Sequence, residues 1–92
     1  MSATLHVRHT VEDFDNWKLG FDGHDSNRRL HGATGHRLLR DGNAITILID
    51  FPDVAAAKAF AEDPSLPEAM SKAGVVGAPE LSFLSTVEEV SY

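Results

Sequence analysis

A strand that is apolar on both faces constrains the fold of this chain most. Residues 45–49 read Ile-Thr-Ile-Leu-Ile and follow the turn Asp41-Gly42-Asn43, so isoleucines lie on one face and Leu48 lies on the other. Because successive side chains of a strand point to opposite sides, both sides of this segment must be covered. The sequence therefore predicts a strand inside a sheet, with another layer packed on each face.

The order of helices and strands along the chain indicates a known arrangement. Period-two and helical spacing predict strands at 4–11, 34–40, 44–51 and 80–87, a long helix at 12–31, and short helices at 53–61 and 65–74. Thr10-x-x-Asp13 and Ser65-Leu66-Pro67-Glu68 resemble capping boxes, and Asp53 is expected to cap the helix at 53–61. That order is the ferredoxin-like βαββαβ arrangement, an α+β fold with a four-stranded antiparallel sheet and its helices on one face. We expect a single ferredoxin-like domain over residues 1–92.

The helices of that fold leave one face of the sheet without cover. The residues expected there mix leucines with polar groups: His6, Arg8, Thr46, Leu48, Asp50, Ser82, Leu84 and Thr86. A second copy of the chain would bury Leu48 and Leu84, which predicts a homodimer with the two sheets face to face. If the third strand lies beside the first and parallel to it, Asp50 and Arg8 come to the same end of the sheet, which also predicts an ion pair between them.

One face of the long predicted helix carries a row of large side chains. The row steps by three and four residues and is apolar first and cationic or titratable last: Phe14, Trp17, Phe21, His24 and Arg28. Such a row either packs a core or lines a cavity for an anionic or phenolic ligand.

Two glycines interrupt this helix. Gly20 and Gly23 each cost about 1 kcal/mol relative to alanine in a helix. Either that cost is tolerated, or a backbone or a ligand approaches closely.

Composition excludes several classes of function. A net charge of −6 disfavours nucleic acid and anionic membranes as partners. The chain has no cysteine, no signal-peptide pattern and no apolar run near the roughly 20 residues that span a bilayer, so we expect a cytoplasmic protein. Its five histidines form no His-carboxylate pattern with metal-ligand spacing, and no glycine-rich nucleotide loop is present. We therefore expect no metal, flavin or nicotinamide cofactor.

The chain resembles a known group of proteins in two passages. These are Arg8-His9-Thr10-Val11-Glu12-Asp13-Phe14-x-x-Trp17-Lys18-x-x-Phe21-Asp22-x-His24-x-x-x-Arg28 and Ala69-Met70-Ser71-Lys72-Ala73-Gly74-Val75-Val76-Gly77-Ala78-Pro79-Glu80. Both are similar to small stand-alone dimeric α/β-barrel proteins of the antibiotic-biosynthesis-monooxygenase-like and polyketide-cyclase-like kind. The resemblance implies the ferredoxin-like fold, the dimer and a pocket within each subunit between sheet and helices. The wider superfamily also contains haem-degrading enzymes, so haem stays an open alternative.

The resemblance and the helical row together indicate candidate site residues. His24 or His9, the latter at the end of the first strand on the helix side, is the expected general base. Arg28 would stabilise developing negative charge. The expected apolar wall for a planar substrate consists of Phe14, Trp17 and Phe21. In the alternative interpretation, His9 hydrogen-bonds to the backbone near the helix start, His24 and Arg28 form a solvated helix end, and the aromatic residues are core.

Two functions follow from these alternatives. The first is a cofactor-independent small-molecule enzyme, of cyclase or monooxygenase type, acting on an aromatic or polyketide-like substrate. The second is a non-catalytic homodimer that binds a small ligand or has a structural role. The cationic end of the row favours the enzyme, because a purely structural core has no use for His24 and Arg28.

Overall fold

A computed structural model describes residues 2–92, and these residues form an antiparallel sheet with helices over one face. The strands are β1 (Ala3–Val11), β2 (Gly35–Asp41), β3 (Ala44–Phe51) and β4 (Val75–Ser85). The helices are α1 (Phe14–Gly23), α2 (Asp25–Leu30), α3 (Val54–Ala61) and α4 (Ser65–Lys72). Strand order is β2-β3-β1-β4, and all neighbouring strands are antiparallel. The predicted ferredoxin-like α+β fold is confirmed.

The core lies between the sheet and the helices. Alternate residues of β1 and β3 point toward the helices, and Leu5 lies opposite Ile49 while Val7 lies opposite Ile47. All four side chains are buried. They pack against residues from the helices and the strand ends: Trp17, Phe21, Phe51, Phe60 and Leu66. The doubly apolar strand is therefore covered on its isoleucine side by the helices.

The opposite face carries the residues that alternation predicts for it. His6 lies between Leu48 on β3 and Ser82 on β4, and Arg8 lies between Thr46 and Glu80. None of these six side chains is fully buried within residues 2–92. This side of the sheet, which faces away from the helices, is called the open face below.

The predicted ion pair between Arg8 and Asp50 is wrong. Because β3 runs antiparallel to β1, Asp50 lies opposite Thr4, and the Thr4 hydroxyl donates to Asp50 Oδ1 at 2.9 Å. Arg8 lies four residues further along β1. The error came from treating the first and third strands as parallel.

The long helix predicted over residues 12–31 is two helices. α1 begins after Asp13, whose carboxylate accepts a hydrogen bond from the Asn16 backbone N–H at 2.9 Å. The helix ends at His24, where the backbone N–H bonds to the Phe21 carbonyl, and α2 begins at Asp25. The row of large side chains keeps its three- and four-residue steps across this break, so the spacing gave no sign that the helix ends there.

The two glycines of α1 have different explanations. A Cβ on Gly20 would lie 2.9 Å from the Cβ of Ala73, so glycine permits α1 to approach the end of α4 closely. A Cβ on Gly23 would have no neighbour within 4 Å among the described residues. Gly23 closes α1, where low helix propensity agrees with the break.

The start of β4 and the cap of α4 differ from the prediction. β4 begins at Val75 rather than residue 80, because residues predicted as a loop pair with β1 across an irregularity in register between Arg8 and Thr10. Gly77 and Pro79 are unusual inside strands, and the shifted register accommodates them. Ser65 does not cap α4; its backbone N–H and its hydroxyl both donate to Asp63.

Candidate functional site

A small cavity lies between the sheet and the helices. Its volume is about 50 Å³. The sheet contributes Val7, His9, Ile47 and Ile49, and the helical layer contributes Trp17, Phe21, His24, Arg28, Phe60, Leu66, Ala69 and Met70. The structure thus brings together five of the six side chains that the sequence placed in one site.

Phe14 is the sixth, and it lies apart from the cavity lining. Its ring packs 5.8 Å from that of Trp17 and lies under the guanidinium of Arg40, 4.0 Å from the ring centre. Phe14 therefore supports Trp17 from behind, and its position gives no support to the predicted substrate contact in this cavity.

Arg28 is buried, with 3% of its surface exposed. Its Nη2 donates to the Phe21 carbonyl at 2.8 Å, and its guanidinium carbon lies 3.7 Å from the centre of the Phe21 ring. Asp25, the nearest acidic group, is 3.7 Å away and is itself held at 2.7 Å by Arg29. Arg28 is not part of a solvated helix end, because α2 turns it inward against α1.

His9 lies on the opposite wall, at the helix-facing side of β1. Only 6% of its surface is exposed, and its ring contacts Trp17 edge-on at 5.6 Å. Burial is the main cause that lowers the pKa of His9 below its usual value. The imidazole is therefore neutral at neutral pH.

Two nitrogens in the cavity wall are buried without a hydrogen-bond partner among residues 2–92. They are Nδ1 of His9 and Nε of Arg28. Buried polar atoms are normally paired, and leaving one unpaired costs about 1–3 kcal/mol. Both nitrogens belong to residues that line the cavity.

His24 is held by a polar network that comes from α2 and from the start of α4. Asn27 Nδ2 lies 3.2 Å from His24 Nε2 and 3.3 Å from Ser65 Oγ. Because the Ser65 hydroxyl donates to Asp63 at 2.7 Å, it can only accept from Asn27. His24 Nε2 also lies 3.3 Å from Ser65 Oγ, so both Asn27 and Ser65 hold the imidazole at Nε2.

Asp63 anchors this network. Its carboxylate accepts from His31 Nε2 at 2.8 Å and from Ser65, and these bonds, the His31 bond first, hold the pKa of Asp63 well below its usual range. Burial, and then the charge of Arg28, lowers the pKa of His24. Sequence reasoning missed Asn27, Ser65 and Asp63 because they come from separate elements, and Ser65 was interpreted as a helix cap.

The remaining histidines of the helix side lie around the cavity rather than in it. His36 on β2 contacts the Phe21 ring edge-on at 5.1 Å, and burial followed by the charge of Arg28 lowers the pKa of His36. His31 is partly buried against Phe60. Within the part of the chain that the structure describes, no three His, Asp or Glu side chains converge as metal ligands do.

The architecture is that of the antibiotic-biosynthesis-monooxygenase-like structures. Among solved structures it is similar to SnoaB, a cofactor-independent oxygenase from Streptomyces nogalater, with a TM-score of 0.79 and 16% identity over 99% of this chain and 98% of that one. For a candidate antibiotic biosynthesis monooxygenase from Caulobacter crescentus the TM-score is 0.73, with 16% identity over 95% and 91% of the two chains. ActVA-Orf6, a monooxygenase from Streptomyces coelicolor in complex with nanaomycin D, gives 0.70, with 14% identity over 99% and 92%.

At these identities the similarity establishes the fold. The sequence matches no family profile. It also matches no curated protein. The family resemblance noted in the sequence is therefore confirmed at the level of architecture. No helix in residues 2–92 is long and apolar enough to cross a bilayer.

Proposed function

We propose that this protein is a cofactor-independent enzyme of monooxygenase type that acts on an aromatic or polyketide-like small molecule between the sheet and the helices. The observation that carries this proposal is the pair of buried nitrogens, His9 Nδ1 and Arg28 Nε, in an apolar wall. Structural neighbours that are oxygenases support the reaction class.

Proton abstraction is the first step of the proposed reaction. Neutral His9 accepts a proton at Nδ1 from a phenol or from an activated C–H group of the substrate, and burial keeps His9 neutral for this task. Arg28 then stabilises the phenolate or carbanion through its guanidinium. Trp17 and Phe21, whose rings stack with centres 5.1 Å apart, position the planar substrate.

His24 has a different role in this proposal. Its Nε2 is held by Asn27 and Ser65, so we assign His24 a hydrogen bond to a substrate oxygen rather than the abstraction of a proton. The structure therefore favours His9 over His24 as the base.

Dioxygen supplies the oxidation in the second step. The substrate carbanion transfers its electron pair to O₂, forming a C–O bond and a hydroperoxide that takes up the abstracted proton. Loss of water then converts the original CH₂ into a carbonyl, so one oxygen atom enters the product and the other leaves as water. The same carbanion could close a ring in a cyclase, and the neighbouring oxygenases favour the reaction with O₂.

Anthrone tests the proposal because it is flat, has an acidic CH₂ group and yields anthraquinone with O₂. We expect protein-dependent O₂ uptake and anthraquinone formation in the presence of a chelator. His9→Asn should lower kcat by about 10²–10⁴-fold, the usual contribution of a positioned base. The matched control is His6→Asn, which changes a histidine of the same strand on the opposite face and should leave kcat unchanged.

Two results would refute this mechanism. One is turnover that disappears with a chelator and returns with a metal ion. The other is a His9→Asn, His24→Ala double variant with the kcat of the unaltered protein.

A non-catalytic small-ligand-binding or structural dimer is the second candidate, and the size of the cavity favours it. A cavity of about 150 Å³ is needed to hold benzene, about three times the volume found here. Saturable binding of flat aromatic compounds without O₂ uptake would support this candidate.

We also propose that two copies of the chain associate through the open face. Leu39 on β2 and Leu84 on β4 are 43% and 45% exposed on this face. Their strands are the outer strands of the sheet, and β3 between them carries the half-buried Leu48. Packing two such faces together buries these leucines and covers the second apolar side of β3. Light scattering should give a mass near twice 10.0 kDa, and a stable folded monomer at micromolar concentration would contradict the proposal.

A further inference from the structure

A second depression lies on the other side of Arg28 from the cavity. This polar groove has a volume of about 270 Å³, several times that of the cavity. It is lined by Asp25, Arg28, Arg29, Ala33, Thr34, Gly35 and His36. Within residues 2–92, Arg28 is the only residue that the two linings share, and its side chain, stacked on Phe21, is called the partition below.

The partition is held by few contacts. One hydrogen bond, from Nη2 to the Phe21 carbonyl, and the stacking on the Phe21 ring fix the guanidinium. Asp25 lies at 3.7 Å, beyond hydrogen-bond length, and pairs more closely with Arg29. Since Nε of Arg28 has no acceptor in residues 2–92, the guanidinium retains a donor for a ligand.

The charge of the groove favours an anion. Two guanidinium groups and one carboxylate are among the described residues that line it, in a chain whose net charge is −6. Nε and a neighbouring terminal nitrogen of a guanidinium match the two oxygens of a carboxylate, which is a stronger pairing than a single neutral hydrogen bond.

We infer that the site takes a flat aromatic carboxylate, with its ring against Trp17 and Phe21 and its carboxylate in the polar groove on Arg28. The inference rests on the proposed function, of which it specifies the substrate class. The ring exceeds the present cavity, so binding moves the Arg28 side chain toward the groove and joins the two spaces. The carboxylate then provides the acceptor that Nε lacks.

Two probes of matched shape test this inference: 2-naphthoate, and the neutral alcohol 2-naphthalenemethanol. Titration calorimetry gives both dissociation constants, and emission from Trp17, the chain's only tryptophan, reports whether the ring enters the cavity. We expect 2-naphthoate to bind about tenfold more tightly than the alcohol and to change the Trp17 emission.

The variants compare two arginines that both stack on rings of α1. Arg28→Met should reduce the preference for 2-naphthoate to about one. Arg40→Met should retain it, because Arg40 stacks on Phe14 outside both spaces. Should Arg28→Met fail to fold, Arg29→Met, at an exposed position of the groove, should still lower the preference by about threefold.

Three results would overturn the inference. They are equal affinity for the two probes, no binding of either probe up to about 1 mM, and an unchanged preference for 2-naphthoate in both Arg28→Met and Arg29→Met. Anthrone turnover combined with equal probe affinities would overturn the aromatic carboxylate site but would still support the proposed enzyme. A tenfold preference without anthrone turnover would support the aromatic carboxylate site and refute the oxygenase reaction.

Discussion

The two faces of the sheet use alternate residues of the same strands, yet they have opposite properties. On the helix side of β1 and β3, Leu5, Val7 and Ile47 are at most 4% exposed. One residue away along the chain, Leu48 is only half-buried and Asp50 is exposed. Residues on the two faces belong to the same strands and have the same neighbours along the chain, so cover by the helices accounts for the difference in exposure.

The histidines of β1 show what this difference means for chemistry. His9 lies under the helices, where burial lowers its pKa and leaves Nδ1 without a partner among residues 2–92. His6, on the open face, is half-buried between Leu48 and Ser82. The same residue type three positions apart thus becomes a candidate base on one face and a surface group on the other.

The largest effect is expected for a charge on the covered face. Ile47→Asp places a carboxylate at a position that is 4% exposed, with only apolar groups of the core around it. We expect a loss of about 4–5 kcal/mol, which is close to the whole stability of a small domain. Urea unfolding followed by circular dichroism measures it, and a cooperative transition at the original midpoint would contradict the contrast between the faces.

The same substitution one residue further along tests the open face. Leu48→Asp should cost the monomer about 1 kcal/mol, since the carboxylate stays in contact with water. If two copies pair there, the dimer dissociation constant should rise by about 100-fold or more, because the charge would be buried at the interface. Sedimentation gives the mass, and an unchanged dimer would show that this face is not the interface.

The pH dependence of stability should reveal the burial of His9. Its folded pKa lies below the ordinary value of about 6.5, so below that pH the unfolded chain binds a proton that the folded chain does not. Stability should therefore fall as the pH decreases from 7 toward about 5, and His24 and His36 act in the same direction.

His9→Asn isolates the share of His9 in this decline. The difference in Tm between pH 7 and about pH 5 should be smaller in the variant than in the unaltered protein. An identical difference in both proteins would mean that His9 titrates in the folded state as it does in the unfolded chain.

The smallest effect concerns polar pairing on the open face. A double-mutant cycle with Thr4→Val and Asp50→Asn should give a coupling of about 0.5 kcal/mol, as expected for an exposed hydrogen bond. The corresponding cycle with Arg8→Ala and Asp50→Asn should give a value near zero, because Arg8 lies opposite Thr46 and Glu80. A coupling between Arg8 and Asp50 larger than that between Thr4 and Asp50 would indicate an ion pair and contradict the antiparallel register.

Local patterns in the sequence predicted most of the fold. The turn at Gly42, the cap at Asp53, and the alternation in β1 and β3 are interactions among near neighbours, and the structure contains all of them. The cap of α1 is Asp13 rather than Thr10, which the capping-box pattern indicates. The break at His24 and the early start of β4 were missed. The break interrupts a row whose spacing continues through it, and the start of β4 depends on pairing with a strand more than sixty residues earlier.

The candidate site divides in the same way. Helical spacing brought Trp17, Phe21, His24 and Arg28 to one side, and strand alternation placed His9 opposite them. Spacing could not reveal that Arg28 is buried on the Phe21 ring, nor that Asn27 and Ser65 fix His24, because these contacts join separate elements.

The sequence by itself determined which residues share a face, since backbone geometry repeats every two or 3.6 residues regardless of what lies nearby. Only the tertiary structure decided which of those residues lose contact with water and which partners they meet. Burial depends on how α1, α2 and α4 close over the sheet, and it is burial that lowers the pKa of His9 and leaves a donor on Arg28 for a ligand.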